Sequence, residues 1–228
     1  MCGRYALDAP HAQLAWRFQL AECPALPARF NIAPGTGIAV VRRSAIGQRT
    51  LDLLRWGLVP HWARDPAIGA RLINARGESV NEKPSFRDAF RRRRCLIPAS
   101  GFYEWQRVPG KGSLEVRQPY YVSLTSGETM AFAGLWESWT SPSGEVVRSC
   151  CIVTAPANEL MRPIHDRMPL ILAPDDWQQW LAAPADQAAQ LIRPGLDAAL
   201  QVWSVARRVG RVSEDDPGLI EPLDDLHR

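Results

Sequence analysis

The chain has 228 residues, 46% hydrophobic and 22% charged, with 27 Lys+Arg against 24 Asp+Glu, 16 Gly and 19 Pro. A chain of this length buries roughly 70–75% of the surface its unfolded form exposes, which excludes a core that depends on disulfide staples. No apolar run approaches the ~20 residues of a membrane span, and MCGRYALDAP lacks the basic and apolar regions of a secretion signal, so a cytoplasmic protein with no membrane partner is expected.

In chain order, period and punctuation predict many short strands and a few helices. CGRYAL at 2–7 alternates as a strand, and HAQLAWRFQL at 11–20 mixes Leu14, Trp16, Phe18 and Leu20 with polar residues in a helical pattern. FNIAPGTGIAVVRR predicts a Pro/Gly loop feeding a strand at 38–41, and LDLLRWGLVPHW a strand that stops at Pro60. ARLINARGES predicts a strand running into a loop. PSFRDAFRRRR predicts a short helix with cations at its C-terminal end, where the helix dipole favours them, and the 91–94 arginine run reads as either a DNA-path contact or a solvated helix end. RCLIPASGFYEW reads as two strands joined at Ala99, Ser100 and Gly101, followed by a loop through GKG at 110–112 and by strands PYYVSL, MAFAGLWES and VVRSCCIVTA. One or two helical turns at PANELMRPI precede the apolar PLIL. Then come a helix from Asp175 to about Leu181, a short helix in AADQAAQLI and a last strand, LQVWSVA, ahead of a Pro- and acid-rich tail. No repeat or linker divides the chain. The expected fold is α+β: a single β-dominated domain over residues 1–228, with mixed and antiparallel barrel-like sheets flanked by a few helices.

Charge is unevenly placed. Residues 212–228 hold six acids (Glu214, Asp215, Asp216, Glu221, Asp224 and Asp225) and one Arg, leaving 26 basic and 18 acidic residues before them. Only Lys83 and Lys111 are lysines, so 25 cations are arginines, whose planar fork matches phosphate and stacks on bases. An arginine-rich genome explains this bias as well as a nucleic-acid partner does, because a mean charge says nothing about clustering. The cysteines Cys2, Cys23, Cys95, Cys150 and Cys151 include no CxxC spacing, so neither a zinc site nor a disulfide framework is expected, and no cofactor. Adjacent Cys150 and Cys151 read as small buried hydrophobes on opposite faces of a strand. Cys2 differs by position: loss of the initiator Met would leave it with a free α-amine and a thiol two carbons apart.

Several side chains have both a structural and a chemical reading. Trp56 and Trp62, near Arg55, Gly57 and Pro60 in RWGLVPHW, suit either the core or a base-stacking platform, whereas Trp136, Trp139, Trp177, Trp180 and Trp203 read as core. His165, between Pro163 and Pro169 with Asp166 and Arg167 beside it, fits a proton shuttle near an anion or a hydrogen-bonded structural residue. Glu104, between Tyr103 and Trp105, is either a solvent-facing strand residue or a desolvated carboxyl with a raised pKa, suited to act as a general acid. Asn74 either positions a substrate or closes an Asx-turn.

The combination narrows these readings. MCGRY, FNIAP, RWGLVPHW, NARGE, RRCLIPASGFYEW, AGLWE, TAPAN and IHDRMP, in that order, resemble the SRAP family, whose members sense abasic sites in single-stranded DNA; the likeness runs from residue 2 to Glu221 and Pro222. The resemblance implies that Cys2 is the nucleophile and crosslinking residue, Asn74 a positioning residue near it, and Glu104 and His165 acid/base groups. It implies that Arg4, Arg76 and Arg167 hold phosphates flanking the lesion, that Trp56 and Trp62 line the strand's path, and that Asn31, Pro34, Trp105 and Thr154 also contact DNA. The partner is then single-stranded DNA carrying an abasic site, bound by a monomer that is nucleoid-associated when on DNA. Two positions depart from the family's pattern: Gly77, where alanine is common, and Ala206, where asparagine is expected. GLIEPL resembles the family's own ending, so the acidic tail is expected within the fold and the basic surface confined to one groove.

Functional-group chemistry makes the implied reaction specific. An amine and a thiol on one residue can trap the aldehyde of an opened deoxyribose as an imine and then as a thiazolidine, a covalent shield against strand cleavage. AP-lyase activity or self-processing by Cys2 as a cysteine peptidase is compatible with this reading. Two alternatives remain open from the sequence: an N-terminal-nucleophile cysteine amidohydrolase, which also begins Met-Cys-Gly, and a non-catalytic single-strand DNA-binding module.

Overall fold

The computed structural model describes residues 2–109, 115–193 and 199–223. In chain order its elements are β1 (Tyr5–Leu7), α1 (His11–Phe18), β2 (Arg29–Ile32), β3 (Gly37–Arg43), β4 (Arg49–Trp56), β5 (Asn74–Arg76), α2 (Arg87–Arg92), β6 (Arg94–Ala99) and β7 (Gly101–Pro109). They continue with β8 (Glu115–Leu124), β9 (Met130–Thr140), β10 (Val146–Pro156), β11 (Arg167–Pro169), β12 (Ile171–Leu172), α3 (Trp177–Ala182), α4 (Ala185–Ala189) and β13 (Leu200–Ser204). The fold is α+β and β-dominated, as the sequence predicts.

Five strands close on themselves. β4 pairs β3, β3 pairs β6, β6 pairs β9 and β9 pairs β10, all antiparallel; a parallel contact of β10 with β4, Ser149 opposite Arg55 and Cys150 opposite Trp56, completes the ring. Closure leaves these strands no open edge along the ring. A second, antiparallel sheet runs β13-β8-β7-β1-β2. The junction between the two falls where the sequence places it, at Ser100 between β6 and β7. Gly101 is required there, because a Cβ would lie 2.2 Å from the Tyr121 ring and 2.7 Å from the Val122 carbonyl oxygen.

Period-two alternation in the second sheet feeds two cores. Tyr5, Phe102 and Val122 face the barrel, where Phe132 meets the Tyr5 and Phe102 rings edge-on at 6.0 and 5.9 Å. Their neighbours Ala6, Tyr103 and Tyr121 face the other way and pack under Val205, Val209 and Leu219 of the C-terminal segment. That segment is pinned by the Asp215 carboxylate, which accepts from the Phe30 and Asn31 amides, and by the Trp203 indole, which donates to the Ile220 carbonyl. The described part of the acidic tail therefore belongs to the fold; Asp224, Asp225 and Arg228 lie outside the described residues, as does the GKG loop.

Two expectations need correction. β4 ends at Trp56, not Pro60, because Gly57 leaves the strand at φ +133° and packs against the Gly69 carbonyl. PANELMRPI forms isolated helical turns, as expected, with Arg162 N–H donating to Asn158 O and His165 N–H to Met161 O. The arginine run divides: Arg91 and Arg92 are exposed, Arg93 pairs with Glu137 at 2.7 Å, and Arg94 is buried. Arg94 donates to the carbonyls of Phe90, Trp180 and Ala183, satisfying carbonyls at and just beyond the ends of α2 and α3. Cys95, Cys150 and Cys151 are buried free thiols, and Cys23 is free and half-buried.

Candidate active site

One strand gathers two distant motifs. On one side of β10, Ile152, Val153 and Thr154 pair in parallel with Asn74, Ala75 and Arg76 of β5. On the other, Thr154, Ala155 and Pro156 pair with Pro169, Met168 and Arg167 of β11. The chain start arrives from the second sheet, where Tyr5 pairs with Phe102 and Tyr103 N–H donates to Arg4 O at 3.0 Å. Continued one step, that antiparallel register sets the residues before Arg4 beside Glu104. The Gln106 side chain then ties β7 to the turn before His165 by donating to Pro163 O at 3.0 Å.

Cys2, Asn74, Glu104 and His165 meet at this junction. Asn74 Nδ2 donates to Cys2 O at 2.8 Å, fixing the residue through its backbone, while the Cys2 Sγ points to Arg4 O at 3.9 Å. Asn74 Oδ1 is buried with no hydrogen-bond partner among the described residues. Cys2 is fully buried; burial first, and then the charge of Glu104, push its thiol far above the ordinary range, so it stays protonated at neutral pH. Glu104 is only 2% exposed, which decides against the solvent-facing reading. Burial raises its carboxyl pKa, and a charge on His165 pulls the other way.

His165 is oriented from its Nδ1 side. That atom accepts the Arg167 backbone N–H at 3.0 Å, while Asp166 Oδ1 lies 2.9 Å from the same nitrogen. One lone pair cannot serve an amide donor while the atom itself donates to a carboxylate. The amide bond is the better placed of the two, because Asp166 is 87% exposed and water competes for it. The neutral ring therefore carries its proton on Nε2.

The residues expected to hold DNA divide more sharply. Arg76 is exposed and in no ion pair among the described residues, Trp62 is 48% exposed beside Arg64 and Arg71, and Trp105 is half-buried next to Glu104. Trp56 is a core residue instead: it is fully buried, its indole N–H donates to Ile73 O, and Tyr5 packs edge-on at 5.5 Å, so neither face is open to a base. Asn31 is also spent on the fold, since its Nδ2 serves the carbonyls of Val209, Arg211 and Glu214 and its Oδ1 accepts from Arg4. Arg4 donates further to Val209 O and Gly210 O. Pro34 lies half-buried in the loop where Gly35 N–H donates to Trp56 O. Thr154 is buried and, with Glu78, occupies the Arg167 fork.

A family model for SOS response associated peptidase (SRAP) matches residues 1–212. This chain belongs to the SRAP family. Abasic site processing protein YoqW of Bacillus subtilis (strain 168) is 38% identical over 229 residues, covering 97% of this chain and 99% of that protein. Abasic site processing protein YoaM of the same strain is 40% identical over 184 residues, 79% of each chain. A crystal structure of a Bacteroides thetaiotaomicron protein superposes with a TM-score of 0.86 at 23% identity, covering 97% of this chain and 100% of that one, a likeness of fold.

The two departures from the SRAP pattern have local outcomes. A Cβ on Gly77 would lie 2.3 Å from Ile192 Cγ2, so Ile192 occupies the space an alanine would need. Ala206 opens the 3-10 turn Arg207–Gly210, which has no side-chain cap. Glu78 is the Arg167 partner that sequence reasoning missed. It stands inside the NARGE motif, yet only the β5-β10-β11 pairing brings it to Arg167.

Proposed function

We propose that this SRAP protein processes abasic sites in single-stranded DNA by covalent capture on Cys2 after Met1 is removed. The observation that carries the reading is the meeting of Cys2, Asn74, Glu104 and His165 at one junction, with a buried carboxyl of raised pKa beside a residue bearing both a thiol and, once Met1 is gone, an α-amine. The names of the relatives support the substrate.

Each group has one task. The closed sugar opens when the Glu104 carboxylate takes the C1′ hydroxyl proton while the Nε2–H of His165 donates a hydrogen bond to the departing ring oxygen, which collects its proton from water. An α-amine with a reference pKa of about 7.7–8.0 is partly neutral at pH 7, unlike a lysine at about 10.4, and adds to C1′. Glu104 protonates the departing hydroxyl, water leaves and an imine remains. A persistent imine acidifies C2′ and invites β-elimination, which cuts the strand. The Cys2 sulfur instead adds to the imine carbon and its proton passes to nitrogen, closing a thiazolidine. Asn74 holds the Cys2 carbonyl so that amine and thiol reach the same carbon. Arg76, Trp62 and Trp105 supply the phosphate and base contacts.

The test is incubation with a single-stranded oligonucleotide carrying one abasic site, followed by denaturing electrophoresis. The wild type is expected to give a shifted band without added reductant, and Cys2→Ala to bind the strand but give no stable band. Undiminished crosslinking by Cys2→Ala would overturn the proposal.

A further inference from the structure

We infer that Glu78 is a positioning residue that sets, through Arg167, the tautomer and aim of the His165 imidazole; this rests on the proposed role of His165 as an Nε2–H donor to the sugar. The argument begins with the competition at Nδ1. The Arg167 backbone N–H and the Asp166 carboxylate both lie within 3.0 Å of that atom, and they demand opposite tautomers. An amide donor leaves the neutral ring protonated on Nε2. A carboxylate acceptor takes the proton to Nδ1 and leaves Nε2 a bare lone pair. Which state prevails depends on where the Arg167 backbone sits.

Arg167 is held from its side chain. Its guanidinium spans Glu78 in bidentate fashion, with Nη1 on Oε1 and Nη2 on Oε2 at 2.9 Å, and Nη2 also donates to Thr154 O at 2.7 Å and Thr154 Oγ1 at 3.1 Å. The arginine side chain is 12% exposed and Thr154 is buried, so water competes weakly at the Thr154 end, whereas Glu78 is 47% exposed and its end of the strut is open to solvent. The hydrogen bond from Arg167 also holds the Glu78 carboxyl below the usual carboxylate range, so the pair stays charged through neutral pH. Thr154 belongs to β10, and Glu78 lies in the 3-10 turn Gly77–Ser79 that follows β5. The strut thus references His165 to the two strands that carry Asn74 and close the site. Both Nη atoms of Arg167 are engaged in this strut, while its buried Nε has no hydrogen-bond partner among the described residues.

The test separates tautomer from activity. With the imidazole neutral, nitrogen NMR of the wild type should show His165 protonated on Nε2; Glu78→Ala should populate the Nδ1-protonated form. At saturating abasic oligonucleotide, Glu78→Ala should form adduct on the order of tenfold more slowly, a fraction of the 10²–10⁴ that positioned acid/base groups contribute. Its pH–rate profile should shift as well. Glu78→Gln keeps one acceptor and should fall between, and Thr154→Val, isosteric and without the Oγ1 acceptor, should move in the same direction. An unchanged tautomer and pH profile in both Glu78→Ala and Thr154→Val would overturn the inference. A tautomer that shifts while the wild type forms no adduct would leave the strut standing and overturn the proposed chemistry instead.

Discussion

Gly77→Ala tests whether packing around the NARGE turn is as tight as its geometry indicates. The added Cβ would lie 2.3 Å from Ile192 Cγ2 and 3.2 Å from Thr154 O. Carbon atoms rest at about 3.5–4.0 Å, so the Ile192 methyl must retreat by more than about 1 Å. Isoleucine is stiff at χ1, so the methyl swings aside only by leaving its preferred rotamer and carrying Cγ1 with it, and the Ile192 Cβ itself already lies 3.6 Å from the new atom. Overpacking of this kind costs about 1–3 kcal/mol. At roughly 2–4 °C per kcal/mol for a chain of this size, Tm should fall by about 2–12 °C. Because Thr154 O also receives Arg167, adduct formation should slow in the same variant. Thermal unfolding of a double-mutant cycle with Ile192→Ala is the assay. The second truncation removes the clashing methyl, so Gly77→Ala should cost less in that background, with a coupling of about 1 kcal/mol or more. Additivity within about 0.5 kcal/mol would refute the reasoning.

Three further outcomes follow from other parts of the molecule. A carboxyl whose folded pKa is raised stabilises most below its unfolded value of about 4.3, and that stability is lost as pH climbs through the folded value. Glu104→Gln should therefore flatten the decline of stability with rising pH while slowing adduct formation; superimposable stability–pH curves would contradict the assignment. The two tryptophans of RWGLVPHW should separate: Trp56→Ala should cost about 3–5 kcal/mol of stability, and Trp62→Ala should leave Tm nearly unchanged but weaken strand binding by about 1–3 kcal/mol. Equal effects on stability would argue against the burial difference. Asn31→Ala strips a partner from three carbonyls of the C-terminal segment, so it should destabilise by about 2–3 kcal/mol and hasten proteolysis beyond Val205; an unchanged cleavage rate would show that the segment is held by its apolar contacts alone.

Much of the fold is legible in the sequence, and the rest is not, for physical reasons. The strand break at 99–101 carries its own signal, since only glycine fits against Tyr121, and α1 and α3 announce themselves by their apolar spacing. The meeting of NARGE with IHDRMP does not. It depends on β10 pairing in parallel with β5 and antiparallel with β11, a choice of partners that no local pattern encodes. Trp56 misleads because Gly57 and Pro60 mark a turn, while the strand before them runs on far enough to place the indole inside the barrel. Arg4, Asn31 and Arg167 look like ligand-binding groups by residue type, yet each is committed within the fold, to partners that for Arg4 and Asn31 lie more than 170 positions away.

The central claim is that Cys2 captures the lesion through both its amine and its thiol, and peptide mapping of the unreduced adduct by mass spectrometry tests it most directly. The account predicts a chain lacking Met1, joined to the oligonucleotide with loss of one water, with the modification confined to Cys2 and its thiol no longer alkylatable. An adduct mapped to Lys83 or Lys111, or a Cys2 adduct whose thiol still alkylates freely, would contradict it.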